Sequence, residues 1–137
     1  MKHWIVLLCC TVVGCSSAER EVEPEAKCER AKIAGNWLFS FALRTGSCNQ
    51  RSEILIELSE SGGLLSNCSP DVTWSDDSCK MTIKATCQIG DGETGSSTII
   101  LTQSSSNPNT ITGIETAYVQ YKSSSCTASY DIVAKRQ

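Results

Sequence analysis

The chain contains one histidine, His3, near its start. Downstream of it, no side chain has an ordinary pKa near neutrality. Ser-His and Cys-His nucleophilic sites and His-ligated metals are therefore missing from the reading of the folded part. The groups left with chemical potential are nine cysteines and fifteen Asp or Glu residues. The carboxylates that suggest a pair are Asp71, Asp76, Asp77, Asp91 and Glu93. All lie in polar, turn-like segments, where water keeps a carboxyl pKa ordinary and unsuited to general acid work. They read as turn-forming or solubilising acids. Asp91-Gly92-Glu93 hints at calcium, but its spacing is not that of an EF-hand loop, and it reads as a hairpin. The cysteines form no CxxC pair, so zinc is not indicated. The expectation is a non-enzymatic chain with no cofactor and no metal.

The N-terminus carries the strongest address. Met1-Lys2-His3 is a positive start, and Trp4 to Val13 is an apolar run too short to span a bilayer as a helix. The run stops against Gly14-Cys15, a small residue before a thiol. Val12-Val13-Gly14-Cys15 resembles the lipobox of bacterial lipoproteins. The resemblance implies cleavage after Gly14 and acylation of Cys15 with chains such as palmitate. Each buried methylene contributes roughly 0.8 kcal/mol, so two or three chains hold a protein firmly on a membrane. Ser16 follows the cysteine, where an Asp in Gram-negative lipoproteins often means inner-membrane retention. The expected location is therefore the outer membrane, lipid-anchored. The alternative is an ordinary secretory signal cut near Ser17 or Ala18, giving a secreted protein.

Residues 1–14 thus read as signal peptide, 15–27 as lipidated cysteine and flexible tether, and 28–137 as one β domain. The tether is polar, broken by Pro24, and holds Glu19, Glu21, Glu23 and Glu25. The formal net charge is −3, so with those acids set aside the domain is close to neutral. No basic stripe and no clustering of aromatics with arginines exists, which disfavours nucleic acid as a partner. The expected partners are the membrane, through the anchor, and either a small apolar ligand or a protein.

Cys9 and Cys10 leave with the signal, and Cys15 is the lipid site. Cys28, Cys48, Cys68, Cys79, Cys87 and Cys126 remain. An even count in a small exported domain reads as three disulfides, each contributing roughly 2–4 kcal/mol to a domain with a modest core.

After a helical turn at Glu29 to Ala34, the hydrophobic period becomes two. In Trp37 to Arg44 the odd positions are large and apolar. In Cys79 to Cys87 the odd positions face a core and the even ones water. In Cys126 to Lys135 the even positions, Cys126 to Ala134, form the inner face, with Val133 on the outer one. One-sided strands of this kind belong to antiparallel sheets. Glu53 to Glu60, Ser97 to Gln103 and Thr110 to Tyr121 are further strands, the last with a bulge suggested at Gly113. Leu64 to Asn67 and Val72 to Trp74 are shorter candidates. Turn chemistry, including Ser69-Pro70-Asp71 and Gly90-Asp91-Gly92, separates the runs. The pattern predicts an all-β, antiparallel, up-and-down meander of about eight strands, closed as a barrel, with a two-sheet sandwich as the alternative.

Gly35-Asn36-Trp37 opens the first strand after the helical turn, and it resembles the G-x-W signature of lipocalins. That resemblance implies an eight-stranded barrel for small apolar ligands. It also implies an Arg at the end of the last strand lying over the Trp ring, a place that Arg136 can fill. No T-D-Y-type second motif accompanies it, and the chain is shorter than most lipocalins.

The same meander constrains the cysteines. Cys79 and Cys87 bracket a strand and stand about 26 Å apart at 3.3 Å per residue, so they cannot bond to each other. Cys48, Cys68, Cys87 and Cys126 fall at one end, and Cys28 and Cys79 at the other. Cys28–Cys79 follows. Either Cys48–Cys68 with Cys87–Cys126, or Cys48–Cys126 with Cys68–Cys87, completes the set.

Two functional classes result. In the first, the barrel binds a small apolar or amphiphilic ligand, with Trp37, Phe39, Phe41, Ile54, Ile56, Met81, Ile83 and Tyr130 lining the interior. In the second, those side chains fill the barrel and the domain is a structural or protein-interaction module, such as an inhibitor of lysozyme or a protease. Its work would then fall to Gly90 to Ser96 and Ser104 to Asn109.

Overall fold

The computed structural model describes residues 28–63 and 67–137. The signal peptide, Cys15, the tether, and Leu64 to Ser66 of the short strand candidate lie outside the described residues. A 3-10 turn at Arg30–Ile33 leads into seven strands. These are β1 (Gly35–Gly46), β2 (Ile54–Leu58), β3 (Cys68–Trp74), β4 (Lys80–Gly90), β5 (Glu93–Gln103), β6 (Thr110–Gln120) and β7 (Ser125–Arg136).

All seven form one antiparallel sheet in the order β2-β1-β7-β6-β5-β4-β3. This is an up-and-down meander curled into a half-barrel, with its last strand paired to its first. A two-sheet sandwich is excluded. Among the described residues the count is seven strands rather than eight. The two edge strands, β2 and β3, run in the same direction, and no pairing joins them, so the barrel is open along that seam. The Ser69-Pro70-Asp71 turn expected from sequence lies inside β3 instead. Its proline is tolerated because β3 is an edge strand, whose outer side needs no N–H. Gly90 to Ser96 is not a loop either. β4 and β5 continue to a tight Asp91-Gly92 turn, with Gly92 at φ +76°.

The inner face of the sheet is built in cross-strand rows. At one end the rows are large: Met81 pairs with Leu101, and Ile111 with Ala134. These side chains and Ile33, Trp37, Phe39, Leu58, Ile83 and Ile132 make the buried core. The bulge suggested at Gly113 is absent, because its register with Leu101 and Ile132 is continuous. A Cβ there would come within 2.9 Å of the Leu101 side chain and 2.3 Å of the Ile100 carbonyl oxygen. The glycine is a packing requirement.

The core end is closed by the N-terminal turn. Trp37 Nε1–H donates to the Ile33 carbonyl at 2.8 Å. Arg136 lies over the Trp37 ring, 4.3 Å from its centroid, and donates to the carbonyls of Ala34 (2.8 Å) and Lys32. Gly35, at φ +137°, leaves the space the guanidinium crosses.

Candidate functional site

The other end of the interior is built from small residues. Across β4, β5, β6 and β7, Ala85 pairs with Ser97, Ser97 with Ala117, and Ala117 with Ala128. Beyond that row, Gly95 stands between Cys87 and Val119. Short side chains in a continuous row cannot fill the space that Met81 and Leu101 fill below. A cleft of about 810 Å³ opens above the core, bounded by Phe39, Phe41, Ile54, Ile56, Ile99 and Ile132 among others.

The row just beneath the small residues runs Ile83–Ile99–Glu115–Tyr130. Glu115 therefore sits on the inner face between an isoleucine and a tyrosine, with its side chain only 2% exposed. Burying an ionised carboxyl without a partner is costly, and here the partner is Arg51. Arg51 Nη1 donates to both Glu115 oxygens, at 2.9 and 2.7 Å. Burial pushes the Glu115 carboxyl above its ordinary value, while the charge and hydrogen bonds of Arg51 act in the opposite direction. The Arg51 guanidinium also lies over the Tyr130 ring at 5.0 Å and the Phe41 ring at 5.5 Å.

Arg51 belongs to the segment between β1 and β2, which has no regular structure, and the three residues before it fix the approach. Cys48 is bonded to Cys126 at the start of β7. The Asn49 carbonyl accepts the Tyr130 hydroxyl at 2.7 Å. The Gln50 side chain accepts from the Leu43 N–H at 3.1 Å and donates to the Phe41 carbonyl. Arg51 then enters the cleft.

The disulfides are Cys28–Cys79, Cys48–Cys126 and Cys68–Cys87, which selects the second of the two sets left open by the strand count. Cys28–Cys79 ties the N-terminal turn to the core end, Cys68–Cys87 borders the cleft, and Cys48–Cys126 ties the segment carrying Arg51 to the start of β7.

Of the sequence-derived lining residues, Phe39, Phe41, Ile54 and Ile56 border the cleft. Trp37, Met81 and Ile83 are buried in the packed core below it. Tyr130 does not border the cleft either: it is buried against Ala117, Ala128 and Phe41, and its hydroxyl holds the segment carrying Arg51. Glu115, Arg51 and the small-residue row were not anticipated. The signal for Glu115 was present: it occupies the inward phase of Ile111, Gly113, Ala117 and Val119. Among the described residues, no group of three or more His, Cys, Asp or Glu is placed to hold a metal. Compared with known protein families, curated proteins and solved structures, the chain matches none.

Proposed function

We propose that this chain is a lipid-anchored envelope lipoprotein whose half-barrel holds a small apolar or amphiphilic ligand without transforming it. The observation that carries the reading is the cleft. Its volume of about 810 Å³ falls in the range of small-molecule sites, roughly 300–1,000 Å³. Its walls are mostly apolar, and the polar group at its floor is a fixed ion pair. Three small residues in register, Ala85, Ser97 and Ala117, border it, while Ala128 at the end of their row packs with Tyr130, Phe41 and Cys48. The anchor rests on Val12-Val13-Gly14-Cys15, and the lipocalin-like reading is supported by the meander and by Arg136 over Trp37.

Native mass spectrometry of the protein recovered from an exporting host tests the proposal. A reproducible adduct of lipid or metabolite size is the expected result. An apo mass, combined with failure to bind an apolar fluorescent dye, contradicts it.

A further inference from the structure

The polar end of the cleft also specifies the head group. Arg51 commits only Nη1 to Glu115. Among the described residues no hydrogen bond uses its Nε or Nη2. The side chain is 39% exposed while the carboxylate behind it is 2% exposed, so the guanidinium covers Glu115 and presents itself to the open space. It is held in that pose by Glu115 on one side, the Phe41 and Tyr130 rings on another, and the anchored Cys48-Asn49-Gln50 segment behind it. A planar donor edge fixed in advance loses little entropy on binding and matches the two oxygens of a carboxylate. Arg51 is the one cation among the cleft-lining residues described. Of the other acids there, Glu53, just before β2, accepts from the Ser40 hydroxyl, and Glu57, on β2, is exposed. The apolar walls, Ile54, Ile56 and Ile99, then face the rest of the ligand.

We propose that the cleft takes an amphiphile with a carboxylate head, seated on the free edge of Arg51 with its apolar part along the β2 and β5 isoleucines. This rests on the reading of the cleft as a ligand site. Glu115 acts as the positioning residue that holds Arg51, and does not touch the ligand.

The test is a fluorescence titration at neutral pH of protein purified after expression of the full chain in an exporting host. The probes are a dansyl-labelled undecanoic acid, its methyl ester, a dansyl-labelled alkylamine of matched length, and the neutral dye N-phenyl-1-naphthylamine. The acid should bind at least tenfold tighter than the ester or the amine. Arg51→Gln should erase that preference while the neutral dye still binds. Should that variant fail to fold with Glu115 left unpaired, the double variant Arg51→Gln/Glu115→Gln removes both charges and should also bind acid and ester equally. Equal binding of acid and ester by the wild type, tighter binding of the amine, or a preference for the acid that survives loss of Arg51 overturns the head-group assignment. If the neutral dye binds in those cases, the cleft reading stands alone. If no probe binds, both fall.

Discussion

Arg136 and Trp37 are register partners across β7 and β1, and the guanidinium carbon lies 4.3 Å from the indole centroid. The pair joins the last strand to the first at the closed end, and its hydrogen bonds to Ala34 and Lys32 pin the N-terminal turn over the core. A cation–π contact of this kind contributes about 0.5–2 kcal/mol. With the carbonyl contacts also lost, Arg136→Ala is expected to lower stability by roughly 2 kcal/mol in urea unfolding. Dye binding at the opposite end should be unchanged. A change below about 0.5 kcal/mol would show that the turn is held by other contacts.

The three disulfides close loops of different size. Their sequence separations are 78 for Cys48–Cys126, 51 for Cys28–Cys79 and 19 for Cys68–Cys87. Chain entropy assigns them about 4.5, 4 and 3 kcal/mol respectively. Replacing each pair by serines, one pair at a time, should destabilise in that order when measured by denaturant unfolding. The reverse order would mean that native packing around the bridges outweighs loop closure.

Met81 separates core from cleft. Its side chain is fully buried in the closed end and does not border the open space. Met81→Ala should cost roughly 2–5 kcal/mol and leave ligand affinity within a factor of about two. A large loss of affinity at unchanged structure would return Met81 to the lining that the alternation alone suggested.

Glu115 predicts a pH dependence. Burial raises its carboxyl above the ordinary value of 4.5. The folded state therefore holds the proton more tightly than the unfolded chain does. The stabilisation this gives is complete below the unfolded value and is lost as pH rises through the raised folded value. Relative to Glu115→Gln, whose amide does not titrate, the wild type should lose stability as pH rises from about 4 to 7. Denaturant unfolding of both proteins across that range checks it. A difference that moves the opposite way would mean that Arg51 outweighs burial.

The strands were legible wherever one face was apolar and the other polar, as in Lys80–Gly90 and Ser125–Arg136. The contact of Arg136 with Trp37 was what the resemblance of Gly35-Asn36-Trp37 to the G-x-W signature implied. The cysteines could be placed at ends of strands, but two sets of pairs remained because Cys48, Cys68, Cys87 and Cys126 fall at one end and strand direction alone does not pair them. Pro70 looked like a turn residue because its acceptance depends on lying at a sheet edge, which no local pattern reveals. The cleft was hidden for a related reason. Ala85, Ser97, Ala117 and Ala128 are unremarkable singly, and only the register of four strands sets them in one row. Arg51 was invisible because a segment without periodicity is placed by contacts distant in sequence, here Cys126 and Tyr130.

The central claim is that the space above the small-residue row holds a ligand. Ser97 lies in that row, its side chain on the inner face and bordering the cleft. The most direct measurement is a titration of wild type and Ser97→Trp with N-phenyl-1-naphthylamine, with thermal unfolding of both recorded alongside. One-site binding by the wild type, weakened at least tenfold in a folded Ser97→Trp protein, is the predicted result. No binding by the wild type, or equal binding by a folded variant whose cleft is filled with an indole, would contradict it.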